Sequence, residues 1–476
     1  MATISRPLCG RAEETAILAR LATSDKSEFL ALYGRRRVGK TFLIRRFFQD
    51  RPSHYFEMVG RFQGSLDDQL RIFADALSTC FFHGARLATP AGWHEAFTAL
   101  RTAIEARADD GRVVLFFDEL PWIATHRSGC LQALEHFWNS WCSSREDILL
   151  VVCGSAASWM LRRIVNAKGG LHNRLTQSIR LLPFTLAENQ DYFQSRRLAF
   201  TLRDQIELYM IFGGVPHYLE HVQRGRSVAQ VVDALCLDKD GALAGEFERL
   251  FASLFEDDAR YVGVVRALAR KRRGLSRNEL LRGLGLGSGG GVTTILENLE
   301  EGGFITATVP LGRSSRDRIY RLTDEFSLFH EKWLATRATS SWQSVRGGSR
   351  WQAWAGLAFE SVCLKHAAQV KAALGISGVQ ASVSAWLHEE AQIDMLIDRA
   401  DNVVSVVEIK FSDAPFTITR KYADELRRKL AVFRQRTKLK KAVHLVLLTC
   451  HGVTDNEYKR ELVDAEVTMD ALFGTG

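Results

Sequence analysis

Apolar residues run unbroken from Phe29 to Tyr33, from Val113 to Phe117 and from Ile148 to Cys153. A strand with one wet face alternates, so unbroken runs of this kind predict buried parallel strands with functional residues at their carboxyl ends. Around them the spacing turns helical. Ile17, Leu18 and Leu21 follow the acids Glu13 and Glu14, and Phe42, Leu43, Phe47 and Phe48 follow a glycine loop; both patterns predict helices. Residues 42–110 alternate helices with a short aromatic strand, Tyr55–Val59. Helical residues 186–212 stop at Gly213-Gly214-Val215-Pro216, a glycine terminus followed by a turn.

Past residue 255 the pattern changes. Val262, Val265 and Leu268 share a helix face, and Ser276 with Glu279 three residues later opens a second helix with a capping box. A third covers Val292–Leu299. Two short strands, Ile305–Pro310 and Arg318–Leu322, flank a polar tip with Arg313, Arg316 and Arg318. This order predicts a winged helix-turn-helix. Its third helix offers Thr293, Thr294 and Asn298 among glutamates, so the tip arginines are the better candidates for contacts with a nucleic-acid backbone. The glycine-rich stretch 283–291 has no Lys-Ser/Thr after it and reads as a turn. Residues 326–350 form a connector in which Gly347, Gly348 and Ser349 suggest a hinge. A helix at Trp354–Leu364 and strands at Gln392–Asp398 and Val403–Phe411 then open a last α/β segment.

Composition narrows the class. The 476 residues are 46% hydrophobic and 25% charged, as in soluble globular proteins. No run approaches the ~18 apolar residues of a membrane span, and the start lacks a secretion signal. Eight cysteines stand singly, without a C-x-x-C pair, so a reducing cytoplasm is expected and a disulfide framework or zinc knuckle is not. The net charge of +8 permits nucleic-acid binding. It clusters at Arg35–Arg37, Arg270–Arg273, Arg427–Lys429 and Lys438–Lys441, and most such runs are solvated faces.

The glycine loop carries the clearest chemistry. Gly34-Arg35-Arg36-Arg37-Val38-Gly39-Lys40-Thr41 lies between a predicted strand and a predicted helix, the context that a phosphate loop requires. Its backbone N–H groups would face the phosphates at the positive end of the helix. Lys40 would reach the β- and γ-phosphates, and Thr41 would ligate Mg²⁺. The expected nucleotide-holding set is Gly34, Arg37, Val38, Gly39, Lys40, Thr41, Phe42 and Asp118. Asp118 and Glu119 end the apolar run that starts at Val113; Asp118 would hold Mg²⁺ and Glu119 would polarise the attacking water. ATP and Mg²⁺ are therefore the expected cofactors. Ser155 ends the next strand, either as a γ-phosphate sensor or as a helix cap. Arg174 follows a glycine-bearing loop at 168–173, either as an arginine finger or as a surface arginine.

The set Gly10-Arg11-x-x-Glu14, the phosphate loop, Phe117-Asp118-Glu119, Gly154-Ser155 and Gly213-Gly214-Val215-Pro216-x-Tyr218-Leu219 resembles the archaeal-type P-loop ATPases, relatives of the AAA+ and STAND ATPases. Across residues 5–235 the resemblance implies an αβ core with a helical lid, Arg174 as the finger and 213–216 as a sensor-2-like turn. That turn carries no arginine of its own.

A second chemical centre lies near the carboxyl end. Alternation puts Glu408 and Lys410 on one strand face, and a suitable hairpin register sets Asp394 beside Glu408. Two carboxylates on one face are costly unless a cation sits between them, and Mg²⁺ suits such a pair. With the helix acid Glu360, this order resembles the PD-(D/E)xK nucleases. The resemblance implies Glu360, Asp394 and Glu408 as metal ligands and Lys410 as the catalytic lysine; Ile393 stands where that family commonly has proline. A salt-bridge cluster in a degenerate domain is the alternative. Lys421, Tyr422, Arg427, Arg428 and Lys429 lie on a following helix, where they would contact a nucleic-acid backbone, although Tyr422 reads equally well as core.

The expected fold is α/β and multi-domain. It comprises a P-loop αβα ATPase core (1–180), a helical lid (181–250), a winged helix (251–325), a connector (326–350) and a restriction-endonuclease-like α/β domain (351–476). The expected function is ATP hydrolysis gating a Mg²⁺-dependent nuclease-like effector on nucleic acid, DNA above RNA. The chain would be a homo-oligomer if Arg174 acts in trans, and no membrane is expected. The alternative is an ATP-dependent switch, or DNA-binding regulator, whose last domain does not cleave.

Overall fold

Five parallel strands organise the first part of the chain: β1 (Glu28–Tyr33), β2 (His54–Val59), β3 (Val113–Asp118), β4 (Ile148–Gly154) and β5 (Gln177–Arg180), in the order β2-β3-β4-β1-β5. The computed structural model describes residues 7–49, 54–107, 109, 111–166, 174–255, 257–271, 273–285, 290–336 and 339–474. The chain divides into two compact units, Met1–Leu182 and Pro183–Gly476.

In the first unit every residue of β1, β3 and β4 is buried, which explains the unbroken apolar runs. Successive residues serve opposite faces. Phe29, Ala31 and Tyr33 join one core with the helices Leu66–Phe81, Trp93–Glu105 and Cys130–Ser140, whereas Leu30 and Leu32 join another with Ala12–Ala22 and Lys40–Phe48. The result is a three-layer αβα sandwich. Its phosphate loop, Asp118-Glu119 and Ser155 all follow strand carboxyl ends, where open α/β sheets bind ligands.

The second unit is built on a core that runs from Phe184 to Leu472 without a break at residues 250, 325 or 350. The segments expected to be lid, winged helix, connector and last domain therefore share one interior. Helices Asp258–Ala269, Arg277–Leu284 and Gly290–Glu301 accompany a small antiparallel sheet of β6 (Leu275–Ser276), β7 (Ile305–Thr308) and β8 (Ile319–Leu322), in the order β6-β8-β7. The connector is not a loose hinge. Trp342 is fully buried against Phe329, Trp333 and Trp354, and its indole N–H donates to Glu207 at 3.1 Å. Arg346 grips the same buried carboxylate through Nε and Nη2 at 3.1 and 3.0 Å.

A mixed sheet closes the chain: β9 (Ala381–Leu387), β10 (Gln392–Arg399), β11 (Val403–Lys410), β12 (Ala442–Thr449) and β13 (Ala465–Thr468), in the order β13-β12-β11-β10-β9. β9, β10 and β11 are antiparallel, while β12 and β13 continue parallel to β11. Met395, Ile397, Val407 and Ile409 face the core shared with the helix Ser349–Lys365. Ile393, Leu396, Val404 and Val406 face the helix Arg420–Thr437. β9, β12 and β13 are not among the strands expected above, although the apolar run Leu445–Leu448 marks β12.

His366 fastens the end of Ser349–Lys365 to the start of the helix Leu186–Ser195. The Leu186 N–H donates to Nε2 at 3.0 Å, which leaves Nδ1–H to donate to the Val362 carbonyl at 2.8 Å. Burial holds this neutral imidazole down to a pKa of about 4. All eight cysteines are free. Cys130, Cys142 and Cys153 of the first unit, and Cys236, Cys363 and Cys450 of the second, are buried, and burial raises their thiol pKa values. Among the described residues no helix is long and apolar enough to cross a membrane.

Candidate nucleotide site and a second acidic centre

The phosphate loop has the backbone its glycines announce. Gly34 has φ 150°, and a Cβ there would lie 2.2 Å from the Leu181 carbonyl oxygen. Arg37 and Gly39 are left-handed, with φ 73° and 91°, and Lys40 then starts its helix. Val38 is buried, so it can offer a nucleotide only its backbone. Its carbonyl accepts from Arg11 Nη2 at 3.2 Å, and the same nitrogen donates to the Leu182 carbonyl at 2.7 Å. Phe42 is exposed beside the loop.

The polar groups predicted around the loop meet. Lys40, only 5% exposed, donates from Nζ to the carbonyls of Gly34 (3.0 Å) and Arg35 (2.9 Å) and to Ser155 Oγ (3.0 Å). Ser155 in turn donates from Oγ to Glu119 Oε1, and its N–H donates to Oε2 at 3.0 Å. Thr41 Oγ1 donates to Asp118 Oδ2 at 2.6 Å. Ser155 therefore stands between the loop lysine and the acid expected to polarise water. It caps no helix, since the N-cap position of Ala157–Met160 belongs to Ala156. The hydroxyl of Thr41 and the carboxylate of Asp118 supply adjacent hard oxygens. They fit Mg²⁺, which keeps most of its waters and takes one or two protein ligands.

Arg174 is exposed in the turn before β5, and residues 168–173 lie outside the described residues. The 213–216 turn has its own packing reason. Gly213 and Gly214 are left-handed, and a Cβ on them would meet Glu325 Oε2 at 2.5 Å and the Phe184 carbonyl oxygen at 2.3 Å.

In the second unit the hairpin register pairs Met395 with Val407, which sets Asp394 across from Glu408. Asp394 Oδ2 accepts the Ile409 N–H at 3.1 Å. Glu408 is 1% exposed and accepts from Lys429 Nζ at 3.1 Å (Oε1) and 2.9 Å (Oε2) and from the Tyr422 hydroxyl at 3.0 Å. Lys410 Nζ lies 3.6 Å from Glu408 Oε2 and 5.0 Å from the centre of the Tyr422 ring. Burial, then the charge of Asp394, raises the Glu408 pKa. Burial pulls Lys429 down, but the Glu408 charge and hydrogen bond outweigh it and hold its pKa up.

Two expectations are corrected here. Glu360 does not complete a three-acid metal set with Asp394 and Glu408: among the described residues no three His, Cys, Asp or Glu side chains are grouped to hold a metal ion. The centre as built does not fit Mg²⁺, because an ammonium already occupies both oxygens of Glu408. Nor do Lys429 and Arg427 join a solvent-facing phosphate-binding row, since both are paired with acids. Lys421 and Arg428 are exposed on that helix, whereas Tyr422 takes its alternative place, packed against the core. Lys429 and Tyr422 bind Glu408, and Arg427 is paired with Asp424 and Glu461 at 2.7 and 2.6 Å. One signal was available. Tyr422, Leu426, Lys429 and Phe433 follow i, i+4, i+7, i+11 spacing, which places Lys429 on a core-facing stripe.

Residues 8–222 match the family profile of an ATPase domain found predominantly in Archaea. An uncharacterized protein of Methanocaldococcus jannaschii is 22% identical over 426 residues, spanning 88% of this chain and 91% of that protein. The Walker-type ATPase PABY2304 of Pyrococcus abyssi has a similar fold, with TM-score 0.50 and 18% identity over 68% of this chain and 96% of that one. The chain thus carries an archaeal-type P-loop ATPase domain equipped to bind and hydrolyse ATP.

Proposed function

We propose that the protein is a cytoplasmic ATP-hydrolysing switch acting on nucleic acid, DNA above RNA, as a homo-oligomer in which Arg174 reaches a neighbouring site. The hydrogen-bonded path from Lys40 through Ser155 to Glu119 carries this reading. The Lys40 ammonium donates to two carbonyls and a hydroxyl, and Ser155 holds Glu119 by both oxygens. The γ-phosphate of the substrate offers Lys40 and Ser155 a stronger, charged acceptor. Their transfer to it frees the Glu119 carboxylate to orient water for attack on the γ-phosphorus. Thr41 and Asp118 are the residues that would hold Mg²⁺, which neutralises charge developing on the phosphates. In this reading 213–216 is a sensor-2-like turn.

The helix–helix–ribbon order of 258–322 supports a winged-helix role in docking to nucleic acid. Arg313, Arg316 and Arg318 are exposed at the ribbon tip, whereas the Gly290–Glu301 helix exposes Thr293, Thr294 and Glu297. A helix face with an acid repels phosphate, so contact through the tip fits backbone binding better than base reading. Phosphate release would be measured for wild type, Lys40→Ala and Glu119→Gln, beside anisotropy titrations of labelled DNA across salt. Turnover lost in both variants, with DNA affinity falling as salt rises, supports the switch. Turnover unchanged in Lys40→Ala would overturn it.

The competing reading, metal-dependent cleavage by the last segment, keeps Asp394 across from Glu408 with Lys410 3.6 Å from it but requires Lys429 to leave Glu408 before a metal can enter. Cleavage of DNA or RNA that needs added metal and disappears in Asp394→Ala and Lys410→Ala would establish it.

A further inference from the structure

We propose that Lys429 is a resident cation of the second acidic centre, fixed where a divalent metal would otherwise bind, so that the wild-type centre excludes divalent metal. A carboxylate as deeply buried as Glu408 requires compensation, and Lys429 supplies it through both oxygens, at 3.1 and 2.9 Å. Tyr422 adds a third hydrogen bond at 3.0 Å. An incoming Mg²⁺ needs an oxygen lone pair at ~2.0–2.1 Å, and on Glu408 it would have to share both oxygens with an ammonium and one of them with a phenol as well.

Charge balance points the same way. Lys410 and Lys429 both lie against Glu408, at 3.6 and 2.9 Å, so a divalent ion entering there would meet two ammoniums. The lysine is built into the interior rather than folded down from the surface. Its helix buries Ala423, Leu426 and Phe433, and the Lys429 side chain is 14% exposed. Its other acid, Glu425, lies 3.5 Å away and is 43% exposed, a weaker, solvated partner. This inference holds whether or not the chain hydrolyses ATP, because it concerns the second unit alone.

The probe is Mn²⁺, counted per chain by electron paramagnetic resonance on the full-length protein without nucleotide. Wild type and Asp394→Asn are expected to bind the same number, since the centre holds none. Lys429→Met is expected to gain about one Mn²⁺, and Lys429→Met with Asp394→Asn to lose it again. Lys429→Arg, which keeps the cation, is expected to match wild type. An Mn²⁺ site in wild type that disappears in Asp394→Asn overturns the proposal. So does a Lys429→Met protein with native circular dichroism and no added site. Should Lys429→Met not fold, the comparison of wild type with Asp394→Asn decides alone.

Discussion

Each unit sets two acids side by side on buried strands, Asp118 and Glu119 at the end of β3 and Asp394 across the β10–β11 hairpin from Glu408, and the two pairs have opposite surroundings. Asp118 and Glu119 are bonded to the hydroxyls of Thr41 and Ser155, and Lys40 rests partly on backbone carbonyls. A charged phosphate can displace each of these neutral partners. Asp394 and Glu408 are bonded to a backbone N–H, an ammonium and a phenol, the last two fixed along a helix face. The ammonium on Glu408 is an ionic partner, bound through both oxygens and held more tightly than a neutral hydroxyl. Adjacent carboxylates therefore make a site only where their partners are exchangeable; where the partners are themselves ionic and buried, the same residue types make a structural knot.

This contrast predicts that substitutions in the first centre remove activity, whereas substitutions in the second remove stability. The largest effect is expected for Lys40→Ala, which should abolish ATP turnover and weaken nucleotide binding while leaving the melting temperature near wild type; phosphate release, fluorescent-nucleotide titration and calorimetry check it. Glu119→Gln should retain ATP but hydrolyse it about 10²- to 10⁴-fold more slowly, the range for a lost general base, as single-turnover assays would read. A Glu119→Gln enzyme at wild-type rate would remove Glu119 from the chemistry.

Acid should act on the second unit through His366. Its folded pKa of about 4 lies below the ordinary 6.5, so between those values the unfolded chain binds a proton that the folded chain refuses. Stability is then complete above pH 6.5 and lost as pH falls toward 4. The full loss is about 3 kcal/mol. Urea titrations from pH 7 to 4 should show it, and His366→Gln should flatten the slope. The smallest effect belongs to Tyr422→Phe. It removes one donor from a buried carboxylate and should cost about 1–3 kcal/mol, with ATP turnover unchanged. A Tyr422→Phe protein as stable as wild type would mean that Glu408 is looser than its hydrogen bonds indicate.

The sequence reveals the first centre more fully than the second because its signals are local. β1, β3 and β4 are buried on both faces and read as unbroken apolar runs, and the loop, lysine and threonine follow one another within eight residues. β5 is harder to see: it is a four-residue strand with only Ile179 buried. Ser155 stays ambiguous in sequence because capping and phosphate sensing favour the same small hydroxyl; only its bonds to Lys40 and Glu119 separate them. In the second unit the alternation of Val403–Lys410 and the polar turn before it set Asp394 opposite Glu408. The neutralising charge comes from Lys429, 21 residues beyond Glu408, and helical periodicity marks that face as buried without naming what it meets. The expected domain boundaries at 250, 325 and 350 follow changes in local pattern, which do not show that Phe251, Trp342 and Val362 share a core.

The buried cysteines give the molecule an internal clock. A thiol that is buried and held protonated reacts slowly with alkylating reagents, so its labelling rate measures how often the surrounding structure opens. Cys130, Cys142 and Cys153 time the first unit, and Cys236, Cys363 and Cys450 time the second. Peptide mass spectrometry resolves the two sets in one sample. Adding ATP would then show which half of the chain the nucleotide quietens, without a substitution anywhere in it.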